Sequence, residues 1–152
     1  MKNINYKIPI SSLILIYTKK LDILLLSRSD KKNFWQSVTG SIEYNESPFE
    51  TAKREVFEET GIICNNYTLE DWNLNHRYKI FSHWQYRYGP GVHYNTEHIF
   101  GLELPSKVEI KIAPKEHNDF QWVSIDVAKG LVFSWTNVKA LEKLCEIKQL
   151  AS

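Results

Sequence analysis

Three glutamates crowd one short stretch of this chain, Glu55, Glu58 and Glu59, with Arg54 directly before them and Glu46 upstream. On an α-helix, residues three and four apart are neighbours, so Glu55 and Glu59 share a face and Glu58 flanks it. Like charges so placed repel by about a few tenths of a kcal/mol per pair. Either water screens that repulsion on a solvated face, or a cation sits among the carboxylates. A hard divalent cation such as Mg²⁺ takes oxygen ligands in near-octahedral geometry and keeps several waters, so adjacent carboxylates completed by phosphate oxygens suit it. Arg54 lies at ion-pair spacing from Glu58 and can fix the orientation of a carboxylate. Glu46 precedes the helix and can reach back toward the loop before it.

The helix that must carry these groups is sharply bounded. Ser47 is a good N-cap, Pro48 suits the first helical position, and Glu50 completes a capping box. Phe49, Ala52 and Val56 form an apolar stripe, and Gly61 suits the left-handed residue past the C-terminus. Before the helix, "ISSLILIYT" and "DILLLSR" read as a strand pair, and "FWQSVTG" as a third strand ending at Gly40. After it, "RYKIFSHWQYRY" alternates like a strand, "GPG" breaks the chain, and "TEHIFGLELP" and "KVEIKI" read as further strands. "NDFQWVSI" reads as a strand running into a short helix from near Ser124 to Gly130. "TNVKALEKLCEIKQL" closes the chain as an amphipathic helix with Val138, Leu141, Leu144 and Cys145 on one face. Strands on both sides of one capped helix predict an α+β, helix-on-sheet architecture.

Length and composition set outer limits. The chain has 152 residues, which fits a single domain over 1–152 with a core large enough to need no disulfide or structural metal. Net charge is +1, so no bulk field draws the chain to nucleic acid or membrane. The apolar run Leu13 to Tyr17 is too short to span a bilayer and lacks a cleavage site, so it reads as a buried strand. A cytoplasmic location is the expectation. Cys64 and Cys145 form no CxxC pair and read as reduced core thiols.

The glutamate stretch as a whole follows one fixed pattern, G-x5-E-x7-R-E-U-x-E-E-x-G-U, U being apolar. Gly40, Glu46, Arg54, Glu55, Val56, Glu58, Glu59, Gly61 and Ile62 fill it without departure. At average usage of about 5–8% per fixed residue type, chance agreement at one start point is below roughly 10⁻⁸. On these residues the chain resembles the Nudix hydrolase family, whose box would occupy 40–62. The resemblance implies a mixed, twisted sheet sandwiched between helices. It implies hydrolysis of a diphosphate linked to another group, with Mg²⁺ as cofactor and Mn²⁺ as the alternative. It assigns Glu55, Glu58, Glu59 and Arg54 to catalysis, with Glu55 and Glu59 as metal ligands.

Outside the box, "FWQSVTGS", "FSHWQYRYGPGVHYNTE" and "SWTN" resemble the branch of that family that cleaves dihydroneopterin triphosphate to the monophosphate and pyrophosphate in folate biosynthesis. This likeness adds Glu116 as a further metal ligand. It adds Lys7, Arg28, Thr39, Tyr78, Lys79, Ile80, Phe81 and Ser134 as substrate contacts. Lys7 and Arg28 would balance triphosphate charge, and hydroxyls would bond phosphate or ring edge. Aromatic faces hold a flat heterocycle well, and Trp35, Trp84, Tyr86, Tyr88 and Trp135 lie in or near these stretches; at alternating strand positions they serve a core equally well. Arg77 and Arg87 fit either phosphate clamps or solvated ends.

Other constellations carry less. The histidines show no zinc spacing, and no GxGxxG or P-loop is present. Glu97 and His98 are neighbours on a strand, point to opposite faces and share no metal. His117, beside Glu116, is a candidate to assist proton movement. Lys19–Lys20 and Lys31–Lys32 read as turn lysines. A general (deoxy)nucleoside triphosphate or RNA-end pyrophosphohydrolase is the alternative enzyme, although no basic stripe for a polyanion is visible. A non-catalytic ligand sensor would be expected to have lost box glutamates. The expected partner is a small pterin or nucleoside triphosphate, with no nucleic acid or membrane, and the chain a monomer or weak dimer.

Overall fold

Strand β1 (Ile10–Thr18) organises the molecule, and its residues point alternately to two cores. The computed structural model describes residues 5–30 and 33–150; the lysine pair 31–32 lies outside the described residues. β1 runs parallel to β6 (Tyr94–Leu104) from Ile10↔Thr96 to Thr18↔Leu104. On its other side it pairs antiparallel with β4 (Val38–Ser41) near its start and with β2 (Ile23–Arg28) at its end. β5 (Thr68–Lys79) adds to β6, while β3 (Trp35–Gln36) and β7 (His117–Val123) flank β2, giving a mixed sheet of 7 strands.

Helices cover both faces. α1 (Pro48–Thr60) buries Ala52 and Val56 against Ile14, Ile16 and Phe100. α2 (Ile125–Leu131) and α3 (Trp135–Ile147) bury Ala128, Leu141 and Leu144 against Leu13, Leu15 and Tyr17. The period-two apolar run of β1 thus serves two layers, as a strand buried on both faces must. The architecture is α+β, a mixed sheet between helices, as expected.

α1 begins and ends where its residues dictate. Ser47 Oγ accepts from the Glu50 N–H, the Glu50 side chain accepts from the Ser47 N–H, and Gly61 takes φ 77°. Cys64 and Cys145 are free and buried, as expected, and Val138 packs beside the buried face of α3.

Several strand expectations need correction. "FWQSVTG" is two short strands, β3 and β4, interrupted at Ser37, whose N–H is taken by Asn137 Oδ1 at 2.8 Å. The strand expected across 77–88 ends at Lys79, because its partner β6 begins opposite, at Tyr94. Beyond it Ser82–Arg87 winds into a 3₁₀ helix, with Trp84 N–H donating to Phe81 O at 2.9 Å. "KVEIKI" forms no strand. Val108, Ile110 and Ile112 do pack on the α1-side core, but the segment is tied by the Lys111 N–H to Thr60 O, at 2.9 Å, and not to a sheet neighbour. Most of β5, Thr68 to His76, was not expected as a strand. A bulge between Asp71 and Leu74, with Asn73 at φ 54°, shifts its alternation.

Candidate active site

A cleft of about 1210 Å³ runs from the glutamate face of α1, past β4 and β1, to the first turn of α3. It brings together every predicted site residue: Lys7, Arg28, Thr39, Arg54, Glu55, Glu58, Glu59, Tyr78, Lys79, Ile80, Phe81, Glu116 and Ser134 all line it.

At the α1 end, Arg54 is the hub. Its Nε donates to Glu46 Oε2 at 2.7 Å and its Nη2 to Glu46 Oε1 at 2.9 Å, a bidentate fork. Nη2 also reaches Ser41 O at 3.1 Å, and Nη1 donates to Glu55 Oε1 at 2.8 Å and Glu58 Oε2 at 3.2 Å. The guanidinium holds Glu46 well below the usual carboxylate range, at about 2. Glu46 also accepts from the Thr51 hydroxyl and the Glu43 N–H, so it orients Arg54. Gly40 leaves the space that Glu55 fills: a Cβ there would lie 2.1 Å from Glu55 Cδ.

Glu55 and Glu59 are both buried, at 9% and 1% exposed. Burial raises the pKa of each; for Glu59 the Glu55 carboxylate raises it further. Glu59 Oε2 has no hydrogen-bond partner. Orphaned hard oxygens on crowded carboxylates are a donor set that fits a divalent cation. Glu59, Glu116 and His117 offer ligand atoms within 4.8 Å of one another. Glu116 is exposed and His117 is buried, with its Nε2 3.4 Å from Glu59 Oε1. Burial, then Arg28, holds His117 down at about 4, so its ring is neutral at neutral pH and is itself a potential ligand. Imidazole is a softer partner than Mg²⁺ prefers. The sequence offered only its place beside Glu116.

Cations gather at the mouth. Lys7 reaches solvent, yet desolvation by the cleft walls, then repulsion from Arg87, lowers its pKa. Arg28 forks onto Asp30 at 2.8 and 2.6 Å and stands over the Trp84 ring at 4.7 Å. Arg87 lines the cleft with Asp30 3.8 Å away. Arg77 instead stacks over Tyr94 at 4.1 Å.

Toward α3 the lining changes character. Phe81 and Trp135 are half exposed, at 48% and 52%. Trp84 and Tyr88 also line the cleft, whereas Tyr86 is 74% exposed and Trp35 packs against the α3-side core. Ser134 is the N-cap of α3, accepting from the Asn137 N–H at 3.1 Å, and its hydroxyl lies 3.2 Å from Thr136 Oγ1. Among the lining residues that were not predicted, Asn95 and Glu97 are the polar pair on β6, 1% and 4% exposed.

The chain matches the NUDIX domain family over residues 7–144. It is 41% identical over 146 residues to the dihydroneopterin triphosphate diphosphatase of Escherichia coli K12, covering 94% of this chain and 96% of that protein. The Haemophilus influenzae protein of the same name is 41% identical, covering 91% and 88%. The solved structure of the E. coli dihydroneopterin triphosphate pyrophosphohydrolase superposes with TM-score 0.84 and 41% identity, covering 91% of this chain and 95% of that one.

Proposed function

The chain belongs to the Nudix family and is a Nudix pyrophosphohydrolase, and we propose that it hydrolyses 7,8-dihydroneopterin triphosphate to dihydroneopterin monophosphate and pyrophosphate. The observation that carries this reading is a single cleft with a carboxylate cluster and cations at one end and aromatic, buried polar groups at the other. A triphosphate on a flat polar ring has that same division. The end-to-end likeness to relatives of that name supports it.

Glu55, Glu59 and Glu116 would hold a divalent cation, Mg²⁺ in this reading. Bound there, such an ion supplies charge neutralisation and a water of lowered pKa for attack at phosphorus. Arg54 keeps the Glu55 carboxylate turned toward the site while Glu46 keeps Arg54 in place. Glu58 flanks them on the same ion-pair network. Lys7, Arg28 and Arg87 offset phosphate charge, and Arg28 would exchange part of its fork on Asp30 for phosphate oxygens. Thr39 offers a hydroxyl donor, and Ser134 one that would leave Thr136 to reach the substrate. Tyr78 to Phe81 and Trp135 form walls for the ring. Water adds to phosphorus and one P–O bond of the α–β bridge breaks. The product belongs on a route to folate, which fits a cytoplasmic enzyme.

The test is pyrophosphate release with added Mg²⁺ from dihydroneopterin triphosphate, dATP and triphosphorylated RNA. The pterin substrate is expected to lead in kcat/KM by roughly tenfold or more. Equal constants across the three would favour a general triphosphate hydrolase instead.

A further inference from the structure

On the far side of β1 from Gly40 and α1, the cleft ends on a second buried carboxyl. Glu97, on β6, faces the same way as Ser11, its register partner, and as Ile99 of the α3-side core. It is 4% exposed, and its Oε1 has no hydrogen-bond partner, while the Thr136 hydroxyl bonds the same carboxyl group. Among the described residues no ion pair reaches it: the α3 residue against it is neutral Thr136, its strand neighbour on that face is Asn95, and its register partner on β5 is His76, whose pKa burial, then Lys139, lowers.

Asn95 repeats the arrangement. Its Nδ2 donates to Ser11 Oγ at 2.7 Å and Tyr78 Oη at 3.0 Å, leaving the amide nitrogen fully engaged. Its Oδ1 is buried and without a partner. Two buried residues on one face of β6 therefore each present one acceptor oxygen, Glu97 Oε1 and Asn95 Oδ1, that no described residue meets with a hydrogen bond, at one end of the cleft. An unmet buried acceptor forfeits its hydration without return, so two together mark a place where something else donates.

We propose that Glu97, with Asn95, reads the 2-amino-4-oxo pyrimidine edge of the substrate ring. That edge carries N3–H and an exocyclic amino group side by side, two near-parallel N–H donors that match the two oxygens of one carboxylate. The second amino proton is left for Asn95 Oδ1. Each carboxylate oxygen accepts more than one hydrogen bond, so Thr136 need not let go. Adenine, which offers an acceptor ring nitrogen beside its amino group, would meet the carboxylate with a lone pair. Trp135 and Phe81, aromatic and half exposed at the same end, supply the faces for a planar ring. Ring selection is thus separate from phosphate chemistry, which lies across β1.

This inference deepens the pterin reading, and its test separates the two. Steady-state constants, or inhibition constants where turnover is slow, are measured for dihydroneopterin triphosphate, GTP, ITP and ATP. GTP and ITP differ only by the 2-amino group. The wild type is expected to favour GTP over ITP by roughly tenfold or more, and Glu97→Gln, whose amide turns a donor toward the ligand's donors, to bring that ratio toward one. In the same variant the pterin substrate falls further than ATP, mainly through KM. Equal constants for GTP and ITP in the wild type, including no detectable binding of either, overturn the assignment, and this ratio needs no variant to fold. A uniform loss on all four substrates in Glu97→Gln also overturns it, showing a structural role. If the pterin substrate fails to exceed ATP while GTP still exceeds ITP, the substrate reading falls and the role of Glu97 stands.

Discussion

Glu59 and Glu97 are buried carboxyls with an orphaned oxygen each, one at either end of the same cleft. Their surroundings differ. Glu59 stands among other acids, with Glu55 and Glu116 close enough to raise its pKa. Glu97 stands among neutral groups and opposite His76, whose pKa burial lowers, and burial lifts Glu97 to about 7, offset in part by Thr136. A crowd of carboxylates is relieved by a cation. A lone carboxyl facing a cleft, with no charge beside it, is relieved by N–H donors. The same residue type, equally hidden, thus marks phosphate chemistry at one end and ring recognition at the other.

Breaking the acidic end has the largest expected effect. Glu59→Gln removes a cation ligand without changing shape, and kcat is expected to fall by about 10³-fold on every substrate with the melting temperature unchanged or raised. Retained turnover would place the cation elsewhere. Gly40→Ala should act through Glu55: the added methyl meets its carboxyl group, and displacement near an ångström lowers kcat by about 10²-fold. Wild-type kcat in that variant would mean the loop yields freely.

The ring end responds in specificity and in pH. The folded-state pKa of Glu97, about 7, lies above its ordinary 4.5. The stability it contributes is therefore full below the unfolded value and is lost as pH rises through the folded one. Without ligand, the advantage of Glu97→Gln over wild type in melting temperature should grow between pH 5 and pH 8. A difference that stays flat with pH would show that Glu97 ionises freely. Smallest is Ser47→Ala, which removes the α1 cap at a cost of about 1 kcal/mol while leaving the rate constants on all substrates in place. A change in kcat there would show that α1 loosens enough to move its glutamates.

What could be read from the sequence follows from how local each feature is. The limits of α1 are written into Ser47, Pro48, Glu50 and Gly61, because capping depends on near neighbours. The acidic end was legible for the same reason: its ligands share one helix and a fixed spacing. Glu97 was not, since β6 buries it only once α3 packs across the sheet. The one available signal was alternation, which sets Asn95 and Glu97 on the face of Ile99. Residues 77–88 misled because aromatic alternation is a packing pattern, and a strand also needs a partner, which β6 ceases to provide past Tyr94. In β5, the bulge at Asn73 breaks the alternation that would have revealed the strand.

The glutamate cluster as a cation site is most directly tested by titrating Mn²⁺ into wild type and Glu59→Gln and following free Mn²⁺ by electron paramagnetic resonance. Saturable binding in the wild type, weakened by at least about tenfold in Glu59→Gln, is the expected result. Identical binding curves for the two proteins would contradict it.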